Sequence, residues 1–259
     1  MAFEMIKILP GPITEISLNR PQVMNALNRK LLEELKTVIE KLEQDTSVIA
    51  VLLTAEGTRA FCTGADLKER SELSVEQVKS VRALLVSCFN KIANFPKPII
   101  AAVNGMALGG GFELSMCCDF ILASDKAVFG LPEVGLAIIP GGGGTVFLPR
   151  IISPNKAKEL IYTGKRITAP EAYELGIVNH VFTVEEFSQK CREIMNEIAN
   201  KGPVALQQAK RSVNYGTALD INTAFVLEAE SYNTCLYSED RNEGLKAFIE
   251  KRKPKYVGY

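Results

Sequence analysis

Apolar and polar positions change period several times along the chain, and each change marks an element. Residues 3–20 alternate loosely, as FEMIKIL and then ITEISLNR across a Pro-Gly-Pro turn, which is strand patterning that Pro21 ends. Residues 25–43 switch to helical spacing, with Leu27, Leu31, Leu32, Leu35, Val38, Ile39 and Leu42 on one face. SVIAVLL (47–53) reads as a buried strand, and 74–94 as a second amphipathic helix that stops before Pro96. IIAAV (99–103), bounded by Pro98 and Asn104-Gly105, is another buried strand. Gly109, Gly110 and Gly111 follow, and FELSMCCDFIL (112–122) reads as a buried helix running back into apolar chain. FILAS (120–124) and 127–129 are strand material, leading into a long glycine-rich loop. A helix is expected over 153–160 with Pro154 in its first turn, and a second in ITAPEAYELG with Pro170 in that role and Gly176 as the stop. IVNHVF (177–182) is the last strand, and beyond residue 185 the pattern is helical only: 185–200, 203–215, 217–237 and 239–251. Strand–helix alternation followed by a helical tail predicts an α/β core with an α-helical C-terminal region.

Composition narrows the class. The 259 residues suffice for a large core, and 47% hydrophobic against 23% charged is ordinary for a globular chain. Thirty basic residues balance thirty acidic ones, so no global field favours nucleic acid or a membrane surface. No apolar run spans a bilayer, and MAFEMIKIL has no secretion-signal pattern. The six cysteines (62, 88, 117, 118, 191, 235) form no CxxC and read as buried reduced thiols, which fits a cytoplasmic location. The single histidine, His180, excludes multi-His metal sites and reads as a peripheral structural residue.

Candidate chemistry lies in four loops: FCTGADLKE (61–69), MALGGGFE (106–113), GLPEVG (130–135) and IPGGGGT (139–145). Each follows a strand or strand end, where α/β folds bind ligands. Glycines let backbone N–H groups approach a developing oxyanion. Glu113 and Glu133 are two carboxylates that one apolar pocket would push to different pKa values. Metal-ligand spacing, GxxxxGK[ST], GxSxG and GxGxxG are all missing. Acid–base work on an oxyanion-forming substrate, without metal or redox cofactor, is the expected chemistry.

FCTGADLKE, NGMALGGGFELSMCCD, FGLPEVGLAIIPGGGGT and AYELGIVNHV, in this order and spacing, resemble the enoyl-CoA hydratase/isomerase (crotonase) superfamily, and the resemblance runs from NRPQVMNAL (19–27) to the C-terminal helices. It implies a spiral core of ββα units over 1–195 and a helical trimerisation region over 196–259, assembled as a homotrimer or a hexamer. It implies an acyl-CoA substrate, with coenzyme A entering as part of that substrate. Ala65 and Gly110 would supply the oxyanion hole, Glu113 and Glu133 the acid–base pair around a water, and Gly141 an N–H that positions this water. Asn25, Ala26, Leu27, Asp66, Leu67, Lys68 and Gly109 would line the substrate or CoA site, joined by Phe248 and Lys251. Which glutamate carries the proton stays open.

An intact glutamate pair favours hydration over double-bond isomerisation. One departure from hydratase patterns is Val146-Phe147 after the last GGT, where Gln-Arg is frequent; it bears on local packing or substrate-tail fit. FCTGADLKER, KELIYTG and the C-terminal NEGLKAFIEKRKPKYVGY are similar to the methylglutaconyl-CoA hydratase branch, whose carboxylated substrate wants a nearby cation that the sequence does not single out. A non-catalytic acyl-CoA- or RNA-binding protein is the remaining alternative. The helix over LNRKLLEELKTVIEKLEQD is nearly charge-balanced, so no nucleic-acid partner is expected.

Overall fold

Pro10-Gly11-Pro12 turns the chain so that β1 (Ile6–Leu9) pairs antiparallel with β2 (Ile13–Leu18). The computed structural model describes residues 3–259. Helix α1 (Arg29–Gln44) starts later than its apolar spacing suggests. Met24 and Asn25 take left-handed backbone angles (φ 53° and 54°), and the Asn28 side chain accepts the Leu31 N–H at 2.9 Å as the helix cap. Leu27 therefore stays extended and forms a bridge to Ala65.

Three strand–strand–helix units follow. β3 (Ala50–Ala55) and β4 (Ala60–Cys62) lead through the short α2 (Leu67–Ser71) into α3 (Val75–Ala93). β5 (Ile99–Val103) and β6 (Met106–Leu108) lead into α4 (Gly110–Met116). β7 (Phe120–Ser124) and β8 (Val128–Gly130) lead through a 3-10 turn (Glu133–Leu136) into α5 (Gly144–Ile151). In each unit the first strand joins one sheet and the second joins another, a structural repetition without a sequence repeat. The chain continues through α6 (Pro154–Thr163), β9 (Ile167–Thr168), α7 (Ala169–Glu174) and β10 (His180–Phe182). One sheet has the order β1-β2-β3-β5-β7-β10 and the other β4-β6-β8-β9.

The expected helix over 112–122 is a seven-residue helix and a strand. Asp119 breaks it: its N–H donates to the Ile99 carbonyl at 2.8 Å while its carboxylate accepts the Ile99 N–H at 2.8 Å, so the chain is drawn back into the sheet as β7. Lys210 closes this corner with a 2.8 Å ion pair to Asp119. β4 and β6, only three residues each, carry no alternation long enough to read.

Side chains of β3 alternate between two cores. Val51 and Leu53 face the main core with α1, α3 and α4, whereas Ala50 and Leu52 face Phe187, Cys191 and Met195 of α8 (Val184–Ala199). The expected division at 195 thus falls inside a helix that packs under the sheet. The helical region proper is α9 (Pro203–Gly216), α10 (Ile221–Leu236) and α11 (Glu239–Ile249). Five cysteines are buried and Cys235 is half-buried, all as free thiols, and burial pushes Cys62 up to about 12.

Candidate active site

The site is assembled where β4 and β6 end side by side. A Cβ on Gly111 would lie 2.0 Å from the Cys62 carbonyl oxygen, so only glycine lets α4 press its backbone onto β4. This contact brings the loop after β4 against the start of α4: a Cβ on Gly110 would stand 3.8 Å from the Ala65 nitrogen. Among the described residues no protein acceptor takes the N–H of Ala65 or Gly110. Two free amides beside one another can hold one carbonyl oxygen that gains negative charge.

The loop that carries Ala65 is clamped from the other side. Leu27 donates to the Gly64 carbonyl at 2.7 Å and Asp66 donates back to Leu27 at 2.9 Å. The Asp66 carboxylate pairs with Arg20 at 3.0 Å, and the same guanidinium donates to the Ala26 carbonyl. Asn25 is fully buried, accepting the Arg20 N–H at 2.8 Å and donating to the Ala60 carbonyl at 2.9 Å.

Glu113 lies in the first turn of α4, 2% exposed. Its Oε1 accepts N–H bonds from Gly142 at 2.8 Å and Gly144 at 2.7 Å. Burial raises its pKa, and these amides and the Arg82 charge oppose the rise. Glu133 comes from the turn after β8; its Oε1 would meet a Cβ on Gly109 at 2.9 Å, and its buried Oε2 has no partner among the described residues. Burial pushes Glu133 up to about 7; its own backbone amide opposes this and the Glu113 charge adds to it. Two backbone amides hold Glu113 in one orientation, and burial lifts Glu133 toward neutral pH.

A cavity of about 440 Å³ joins these groups. Leu27, Ala65, Asp66, Leu67, Gly109, Gly110, Glu113, Glu133 and Gly141 line it. Asn25, Ala26, Lys68, Phe248 and Lys251 do not. Asn25 and Ala26 are buried behind the Ala65 loop, Lys68 is exposed, and Phe248 is 84% exposed on α11. The amides that reach Glu113 belong to Gly142 and Gly144, one and three residues beyond Gly141. Phe147 lies over Gly143 and packs on the main core, which accounts for the Val146-Phe147 departure as local packing.

Two residues escaped the sequence reading. Arg20 was hidden because its partner Asp66 is 46 positions away. Arg82 had a visible signal: it interrupts the apolar stripe Val78, Val81, Leu85 at helical spacing, and these side chains line the cavity together.

Paired strand–strand–helix units thus bring two free amides beside a buried and a half-buried carboxylate, Glu113 and Glu133, in one cavity. The chain belongs to the enoyl-CoA hydratase/isomerase family, whose model matches residues 10–258. It is 42% identical to a short-chain-enoyl-CoA hydratase of Clostridium acetobutylicum, over 94% of this chain and 93% of that protein. It is 40% identical to a mouse mitochondrial methylglutaconyl-CoA hydratase, over 95% of this chain and 80% of that protein. The crystal structure of an enoyl-CoA hydratase from Bacillus anthracis superimposes with a TM-score of 0.97 at 43% identity, over 99% of this chain and 100% of that one.

Proposed function

We propose that this chain is an enoyl-CoA hydratase that adds water reversibly across the trans-2 double bond of an enoyl-CoA thioester. The observation that carries the reading is the convergence of the Ala65 and Gly110 amides with the Glu113–Glu133 pair in one cavity. In this reading the thioester oxygen accepts both amides, and its growing enolate charge is stabilised without moving the protein. Glu113, ionised, takes a proton from water as the oxygen bonds to C3. Glu133 gives its proton to C2. The glutamates then hold their proton in exchanged positions, and transfer between them or through solvent restores the starting state. Gly141 presents its N–H to the water, and Leu27, Asp66, Leu67 and Gly109 contact the substrate.

The three units wind as a spiral, and a second copy covers the C-terminal helices. Exposed Ile221, Phe225, Val226, Tyr237, Phe248 and Ile249 support a homotrimer or a dimer of trimers. Phe248 and Lys251 then serve a neighbouring subunit's CoA.

The test is loss of the conjugated enoyl-thioester absorbance when the purified protein meets crotonyl-CoA, with methylglutaconyl-CoA run in parallel. Turnover of either supports the reading, and the faster one fixes the branch. No loss with both overturns it.

A further inference from the structure

Two spaces meet at one side chain. The catalytic cavity is walled at its acyl end by Val78, Val81, Leu85 and Ile138. On the outer face of α3 lies an open groove of about 670 Å³, lined by Glu43, Ser87, Asn90, Lys91 and Asn94. Arg82 borders both spaces, and no other described residue does. Its guanidinium end stands beside the glycine loop that holds Glu113, for a Cβ on Gly141 would meet Arg82 Nε at 3.2 Å. In the groove, Lys91 is paired with Glu43 at 3.5 Å. Arg82 is exposed and forms no ion pair or hydrogen bond with its side chain among the described residues, in contrast to the clamped Arg20.

We infer that Arg82 is a specificity residue that sets how long an acyl chain the site accepts, acting as the partition between the catalytic cavity and the groove on α3. This rests on the hydratase reading above. With the thioester oxygen on Ala65 and Gly110 and C2–C3 between the glutamates, the carbons beyond C3 run along Val78, Val81 and Leu85 toward Arg82. Each methylene laid against that apolar wall tightens binding by about 4-fold. The gain ends at Arg82. A longer chain would strip water from a charged guanidinium and give it no hydrogen-bond partner in return. The space behind Arg82 is open groove, so shortening this one side chain joins the two spaces.

The test measures binding of saturated esters, butanoyl-, hexanoyl-, octanoyl- and decanoyl-CoA, by calorimetry on wild type, Arg82→Ala, Arg82→Ser and Arg82→Ala combined with Ala83→Trp. Ala83 is exposed and lines the groove, so a tryptophan there refills the space that the shortened side chain opens. In wild type the gain per carbon is expected to stop before decanoyl-CoA. In both single variants it should continue, so that decanoyl-CoA binds about 15- to 60-fold more tightly than to wild type, the effect of about two or three more buried methylenes. Butanoyl-CoA, too short to reach Arg82, should change by less than about 2-fold, and the double variant should return to the wild-type profile. A steady gain through decanoyl-CoA in wild type, an unchanged profile in both single variants, or a gain that survives Ala83→Trp would each overturn the inference. So would equal weakening of every ester, which would make Arg82 a structural residue. Because none of these esters is hydrated, the outcomes are read whether or not crotonyl-CoA turns over. Failed hydration of every enoyl ester would count against the hydratase reading alone.

Discussion

Glu113 Oε1 accepts the Gly144 N–H at 2.7 Å, and Gly144 is the first residue of α5. Glu113 is therefore held by the amino end of the next unit's helix, where amides point outward and favour negative charge. Replacing Glu113 with Gln should lower kcat for crotonyl-CoA hydration by at least about 100-fold, with a much smaller effect on acyl-CoA binding. Stopped-flow absorbance and calorimetry on the same preparation separate the two. Retained turnover would remove Glu113 from the mechanism.

Activity should follow a bell-shaped pH profile. In the proposed mechanism the reaction needs Glu113 ionised, so kcat/KM falls on the acidic side, through a pKa raised by burial. It also needs Glu133 protonated, so kcat/KM falls on the alkaline side as pH passes about 7. Glu133→Gln should abolish the alkaline limb along with most of the rate.

The same shift has a sign in stability. Folded Glu133 titrates near 7 whereas an unfolded glutamate titrates near 4.5, so the folded state binds more protons between these values. Its contribution is complete below the lower value and is lost as pH rises through 7. Because the side chain is half-buried, water reduces the effect. Glu133→Gln is expected to raise Tm by about 2–4 °C at pH 8, the shift of roughly 1 kcal/mol in a chain of this size, and by less at pH 5. Differential scanning fluorimetry at the two pH values decides this.

Arg20→Met should act through Ala65. It removes the 3.0 Å pair to Asp66 and the contact to the Ala26 carbonyl while leaving the glutamates in place. With one partner gone, the half-buried Asp66 carboxylate loses its counter-charge, and stability should drop by about 1 kcal/mol. The loosened amide should lower kcat about 10-fold without moving the pH limbs. Denaturant melts and pH–rate curves test both parts.

Gly111→Ala should not yield a native enzyme. Its Cβ would meet a backbone carbonyl at 2.0 Å, and backbone cannot step aside as a flexible side chain can. A cost above about 3 kcal/mol is expected, seen as a lower unfolding midpoint in urea.

The long amphipathic elements were legible because period and length agree: α1 buries Leu31, Leu32, Leu35, Val38 and Ile39, and β5 is the apolar IIAAV. Both glutamates and the glycine loops were also legible, since their residue types limit the chemistry they can do. The three-residue strands β4 and β6 were not, because hydrogen bonds to distant neighbours form them. The end of α4 was hidden too, set by Asp119 meeting Ile99 across twenty residues. Sequence alone determined the class of fold and the chemical groups, through local periodicity and composition. Tertiary structure decided which amides are free, that Gly142 and Gly144 hold Glu113, that burial lifts Glu133, and that Arg82 faces the cavity. These depend on backbones approaching across the β4–α4 contact and on local desolvation, which only the packed chain creates.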